Sequence, residues 1–176
     1  MKQQTQNYYL IALRAFLKYL QLRNITALPS KSVKLTQAPA QSPTVLSMEE
    51  LARLMKAPDT KTLEGKRDKA ILELFSSVRL RVSELCSLHI DCVDLKSAEL
   101  LVTDTGGTKR TVFLTRSARS ALQAYLKKRT DTEKSLFIRY GRKMHDGGDL
   151  RIHPKMVQRL IRKHALQAGI TSLVTS

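Results

Sequence analysis

The side chains here that can do chemistry are mostly guanidinium and ammonium groups, and their distribution is uneven. Lys and Arg number 31 against 15 Asp and Glu, a formal charge of +16. Residues 1–66 hold 10 basic and 4 acidic side chains, residues 67–106 hold 5 and 7, and residues 107–176 hold 16 and 4. Solvated surfaces mix signs, so a near-neutral centre beside a strongly basic half points to a directed face. The natural partner of such a face is a polyanion, nucleic acid above all, because a forked guanidinium meets two phosphate oxygens at once. The total alone also suits a ribosomal or other RNA-binding protein, or one that lies on a membrane surface. Cys86 and Cys92 stand six residues apart with no CxxC and no paired His spacing. They read as two reduced thiols of a cytoplasmic protein rather than as zinc ligands. No run approaches 18 apolar residues, and the first residues do not form a signal peptide, so no membrane partner is expected.

These groups need elements to hold them. Residues 4–22 read as one amphipathic helix, with Tyr8, Ile11, Ala12, Ala15, Phe16, Tyr19 and Leu20 at three- and four-residue steps. Residues 24–46 lose the period and carry Pro29, Pro39 and Pro43, which reads as a linker. Ser47 and Glu50 form a capping box that opens a helix with Leu51, Leu54 and Met55 on one face. A longer helix from about Lys66 buries Ala70, Ile71, Leu74 and Phe75, and another spans residues 82–88. Residues 99–104 and 110–115 are β-type runs joined by a loop containing Gly106 and Gly107, which predicts a hairpin. Helix returns over residues 118–128. The last element opens at Pro154, buries Val157, Leu160, Ile161 and Ala168, and stops at Gly169. The sum is a mostly α domain with a small antiparallel β-hairpin or sheet (α+β), preceded by one separate helix. Such a lone helix is marginal in water unless its apolar face finds a partner.

Arg67-Asp68-Lys69-Ala70, followed by Leu80-Arg81-Val82-Ser83-Glu84-Leu85, resembles the R-D-x-A helix and G-L-R-x-S-E-L box of the tyrosine recombinases, the phage-integrase family with its Xer-like members. The likeness extends along nearly the whole chain. Residues 7–20 resemble the last helix of that family's N-terminal core-binding domain, and residues 46–51 the opening of its catalytic domain. Residues 136–138 and 157–170 resemble the stretch before its second catalytic box. The resemblance implies three parts: a core-binding remnant over 1–23, a linker over 24–46, and the N-terminal part of a catalytic domain over 47–176. It also implies phosphoryl transfer on DNA. In that chemistry a tyrosine attacks the scissile phosphate, two arginines hold the non-bridging oxygens, and a hairpin lysine protonates the leaving 5′ oxygen. Arg81 stands at the first arginine, and Glu84 reads as a structural carboxylate that orients its neighbours. Charge concentrated on a phosphorane is what forked donors stabilise best.

Three departures shape the expected function. The hairpin aligns without a gap and places Thr105 where the family has its catalytic lysine, 24 residues beyond Arg81. Loss of a general acid typically slows such a step by ~10²–10⁴-fold. Lys109, at the far end of the loop, is a substitute only if the register shifts. Arg79 stands where the family has glycine, and it either adds a phosphate contact or distorts the turn. None of His89, His145, His153 and His164 is followed by Arg three residues later, and all five tyrosines lie at or before Tyr140. The expectation is therefore a DNA-binding part of a recombinase, truncated at both ends, without cofactor and catalytically inactive. Double-stranded DNA would meet Arg81, Lys109, Arg110 and Arg79. Arg116, Arg119, Lys127, Lys128, Arg129, Arg142 and Lys143 would add field or stay solvated. Gln4, Asn7, Arg14 and Lys18 of the first helix would lie in a groove. Two other readings stand beside this one. The chain regulates or inhibits a full-length recombinase, pairing with it or with itself, or it is a truncated gene product without function.

Overall fold

A computed structural model describes residues 3–36, 45–140 and 149–171. Its contacts divide the chain into two units, Met1–Pro43 and Thr44–Ser176. In the first unit, α1 (Gln3–Leu22) ends where Asn24 adopts a φ of 56° and Ile25 N–H donates to the Leu20 carbonyl at 3.1 Å. Asn tolerates this left-handed conformation better than most residues. The chain then folds back through a 3-10 turn at Ser30–Ser32. Thr36 closes the return: its N–H donates to Asn7 Oδ1 at 3.0 Å, and its carbonyl accepts Asn7 Nδ2 at 2.7 Å. Part of the stretch read as linker is thus ordered along α1. Leu17 is the one buried α1 side chain among the described residues. Tyr8, Ile11, Phe16 and Tyr19, expected to form a covered stripe, are at least 50% exposed.

The second unit grows from well-capped helices. Ser47 and Glu50 form the expected box, with Ser47 N–H donating to Glu50 Oε2 at 2.8 Å and Glu50 N–H to Ser47 Oγ at 3.1 Å, opening α2 (Met48–Lys56). α3 (Leu63–Ser77) starts three residues before the expected Lys66, because Thr62 Oγ1 caps the Gly65 N–H at 3.0 Å. Gly65 is required there: a Cβ would come within 1.9 Å of the Asp59 carbonyl oxygen. α4 (Val82–Ser87) leads to a 3-10 turn at Ile90–Cys92 and to three antiparallel strands, β1 (Val93–Asp94), β2 (Glu99–Thr103) and β3 (Lys109–Phe113), in the order β1-β2-β3. β1 is too short to show a period in sequence. α5 (Arg116–Leu126) begins at once, because Thr115 caps it through the Ala118 N–H and so ends β3. α6 (Pro154–Gln167) has proline at its first position. It closes at Gly169, φ +69°, with Ile170 N–H donating to Ala165 O at 2.9 Å and Gly169 N–H to Leu166 O at 3.1 Å.

α3 runs through the core. Ala70, Ile71 and Leu74 are fully buried, with α5 (Leu122, Tyr125), β2 (Leu100, Val102) and α6 (Val157, Ile161) contributing to the same cluster. Phe75 and Ala168, expected to be buried, are half-buried, and Ala165 and His164 take the inward places on α6.

One polar network crosses this core. Arg67 donates through Nε and Nη2 to Asp68 Oδ1 at 2.9 and 2.6 Å, and through Nη1 to the Ile138 carbonyl at 2.9 Å. His164 Nε2 meets Asp68 Oδ2 at 2.8 Å and donates there, since a carboxylate only accepts. Arg67, Asp68 and His164 are all at most 3% exposed. Removing one member of such a network strands a charge in the interior. Asp68→Ala should therefore lower unfolding stability in a denaturant titration by about 3–5 kcal/mol. Glu64→Ala, which removes the half-exposed carboxylate 3.4 Å from Arg67, should cost under about 1 kcal/mol. Equal effects of the two changes would contradict the network's role.

Candidate phosphate-binding site

The turn between α3 and α4 presents the arginines. Val78 N–H donates to Leu74 O at 2.9 Å and ends α3, and Leu80 N–H donates back to Val78 O at 2.8 Å. Arg79 is exposed, and its backbone stays outside the left-handed region, where the only positive-φ non-glycines among the described residues are Asn24 and Ala98. The turn therefore accepts Arg79 without left-handed backbone.

Arg81 caps α4 with its backbone, donating N–H to Glu84 Oε2 at 2.8 Å. Its side chain is exposed and makes no hydrogen bond among the described residues. It stands at the rim of a cavity of about 690 Å3 walled by Leu51, Leu54, Met55, Leu72, Phe75 and Leu80. Apolar walls beside a free guanidinium lower the local dielectric and strengthen its attraction for an anion.

Glu84 is 3% exposed and holds the site together. Besides the Arg81 amide it takes the Arg110 fork, Nη1 to Oε1 at 2.8 Å and Nη2 to Oε2 at 2.9 Å. These hydrogen bonds, that from Arg110 first, hold its carboxyl at about 2 against the opposing effect of burial. Arg110 Nη2 also reaches the Arg79 carbonyl at 3.3 Å. Arg110, expected to face the phosphate backbone, thus directs its fork inward. The carboxylate was legible in sequence as an orienting group; its partner was not.

The hairpin separates the other candidates. β2 and β3 pair Val102 with Arg110 and Thr103 with Lys109. Leu100 and Val102 are buried while Leu101 and Thr103 are exposed, so alternation puts Arg110 on the inner face and Lys109 on the outer one. The tip is pinned by Asp104, whose Oδ1 accepts Gly106 N–H at 2.8 Å and Thr108 N–H at 2.9 Å, with Gly107 at φ +83°. Thr105 is exposed within that loop. The register leaves Lys109 in the strand and does not bring it to the position of Thr105.

The remaining basic candidates divide by environment. Arg116, Arg119, Lys127 and Lys128 are exposed on or just after α5. Arg129 is internal instead: its side chain is 4% exposed and bonds Asp131 and the carbonyls of Glu133, Ser135 and Leu136. Arg142 and Lys143 lie outside the described residues. On α1, Lys18 is exposed and Arg14 half-buried, the Asn7 amide is occupied by Thr36, and the side chain of Gln4 is outside the described set. Tyr125 is fully buried, and Tyr140 donates to its hydroxyl at 3.0 Å. Desolvation pushes both phenols up from their ordinary range. Cys86 is buried, with its thiol raised to about 11 by desolvation, and Cys92 is half-buried. Among the described residues no acid, His and Cys cluster fits a metal ion, and no helix is long and apolar enough to cross a membrane.

An arginine presented at a capped helix start, a buried glutamate one turn on and a hairpin arginine bonded to that glutamate and to the Arg79 carbonyl form one frame. The profile of the phage integrase family matches residues 44–176, and the chain belongs to that family. It is 31% identical to the tyrosine recombinase XerC of Myxococcus xanthus, over 94% of this chain and 56% of that one. It is 32% identical to XerC of Thermodesulfovibrio yellowstonii, over 92% and 54%. Among solved structures, the XerA recombinase superposes with a TM-score of 0.63 at 25% identity, covering 99% of this chain and 57% of that one. The integrase of mycobacterium phage Brujita shares the fold at a TM-score of 0.59 and 21% identity, over 98% and 54%. The chain spans about half the length of the curated relatives it matches.

The acid response of the fold tests the Glu84 pair. A carboxylate depressed to about 2 when folded contributes stability that is complete above its unfolded value and lost as pH falls towards 2. Glu84→Gln should therefore be less stable than the parent at pH 7, by about 2 kcal/mol once the partial exposure of Arg110 is allowed for. The gap should close between about pH 4.5 and pH 2. A gap that persists unchanged at pH 2 would show that the carboxylate's charge is not what Glu84 contributes.

Proposed function

We propose that this chain binds double-stranded DNA as part of a tyrosine recombinase, with Arg81 holding a phosphate oxygen, and that these 176 residues alone do not cleave it. The observation that carries this reading is Arg81 itself. Its guanidinium is unengaged among the described residues, yet its backbone is fixed by a buried carboxylate. A donor positioned before the substrate arrives is what electrostatic stabilisation of a phosphorane needs. Arg79 adds a second exposed guanidinium two residues away. The exposed cations of α5 contribute field, and Lys18 of α1 offers a further contact. No cofactor enters this chemistry, and a cytoplasmic location suits the two free thiols and the DNA partner.

Cleavage needs a nucleophile and a proton donor, and among the described residues of the second unit neither stands at the site. Tyr125 and Tyr140 are tied to each other within the fold, while Tyr8, Tyr9 and Tyr19 belong to the other unit. Thr105 holds the lysine's position with a hydroxyl, a poor acid for an alkoxide leaving group. A second reading is a regulator that pairs with a full-length recombinase or with itself. It is favoured by the exposed Tyr8, Ile11, Phe16 and Tyr19, since uncovered apolar side chains on one helix face favour association.

Duplex DNA affinity should fall steeply with salt, by about 0.9 log units per log unit of salt for each phosphate neutralised. Binding that ignores salt, or none at low salt, would remove the DNA reading. On a nicked suicide substrate the chain should form no covalent adduct. Joined to the C-terminal segment of a relative it should cleave slowly, and Thr105→Lys in that chimera should raise cleavage by roughly 10²-fold or more. An adduct from the 176 residues alone would overturn the proposal.

A further inference from the structure

We infer that Arg110 is a positioning residue: it locks the hairpin to the turn that presents Arg81, through Glu84 and the Arg79 carbonyl, and does not itself bind phosphate. The frame serves Arg81 only if Arg81 is the phosphate ligand, and in that respect the inference rests on the reading above.

The geometry is a three-point attachment. Both terminal nitrogens of Arg110 lie on separate oxygens of Glu84 at 2.8 and 2.9 Å, and one of them also donates to the Arg79 carbonyl at 3.3 Å. Glu84 Oε2 carries the Arg81 amide at the same time, at 2.8 Å. One carboxylate therefore joins β3 to the residue just before α4, across 26 positions of sequence. Only a planar fork can do this, since an ammonium supplies a point charge and cannot span both oxygens. Strand alternation places Arg110 on the face of Val102, opposite Lys109, so the strand itself aims the fork inward. The Arg110 side chain is 40% exposed, but both its terminal nitrogens are engaged, and turning them to a phosphate would strip the fork from a carboxylate that is 2% exposed.

Loss of the strut would free the hairpin, with Thr105 and Lys109 at its tip and far end, to pivot relative to Arg81. A phosphate ligand and a strut then differ in three measurable ways. In the 176-residue chain, the Glu84 carboxyl carbon is followed by NMR through an acid titration. The Glu84 carboxyl, held at about 2 in the parent, should titrate higher in Arg110→Gln, because the group that lowers it most is gone. Arg81 is the other cation acting on Glu84 and is present in both proteins. Second, Arg110→Lys keeps the charge but loses the fork. A strut predicts duplex affinity as low as in Arg110→Gln, whereas a phosphate ligand predicts affinity near the parent's. Third, Glu84→Met with Arg110→Met removes a neutral pair. A strut predicts an unchanged salt slope, and a phosphate ligand predicts one shallower by about 0.9. Glu84 titrating unmoved in Arg110→Gln, or the double variant losing that slope, overturns the inference. Should Arg110→Gln fail to fold, the lysine and double variants still decide. If no DNA binding is found in any of these proteins, the DNA reading fails, while the Glu84 titration still tells whether Arg110 holds it.

Discussion

The carboxylate of Asp68 lies at 2% exposure between the guanidinium of Arg67 and the imidazole of His164, and the second unit is built around that contact. Arg67 adds the Ile138 carbonyl, so α3, α6 and the segment at residue 138 share one polar knot inside an apolar core. The Tyr140 ring lies 5.3 Å below the same guanidinium and its hydroxyl reaches Tyr125, which stacks on Phe137. Buried charge is tolerable only when every partner is present. The network therefore fixes where α6 lies on α3 more narrowly than apolar packing alone, which accepts many near-equivalent arrangements.

The same device recurs at the candidate site. Glu84 is a second buried carboxylate, joining the nearby Arg81 amide to the guanidinium of Arg110, 26 positions away. With Glu73, Asp68 and Glu84 are three of the seven acids in the near-neutral centre between residues 67 and 106. That charge balance reads in sequence as a boundary between surfaces. In the fold, much of it is acid turned inward: Asp68, Glu73 and Glu84 are all buried. The acids orient cations rather than offset them on the surface, and the free positive charge stays on exposed groups such as Arg79, Arg81 and the cations of α5.

The two units differ in how they satisfy their apolar surface. The second has a continuous core, whereas α1 buries Leu17 alone among its described side chains and leaves its aromatic stripe open. A helix of this length draws most of its stability from the face it buries. The open stripe is therefore the feature of the first unit most in need of a partner.

What the sequence determined by itself was local. The Ser47 and Glu50 box, the proline start and glycine stop of α6, the α3 stripe and the β2–β3 hairpin all depend on contacts within a few residues or one turn, which periodicity and capping chemistry reveal. The R-D-x-A and L-R-x-S-E-L segments disclosed the family, now shown by the match over residues 44–176. Only the tertiary structure decided which cations are free. Arg110 meets Glu84 across 26 positions, Arg67 meets Ile138 across 71, and His164 meets Asp68 across 96. A lysine or arginine looks alike in sequence whether it faces solvent, as Arg116 does, or folds inward, as Arg129 does, because its long stem lets packing choose the destination of its head. Strand register made the same choice for neighbours: Lys109 and Arg110 read as one basic pair, and a pleat sends adjacent side chains to opposite faces.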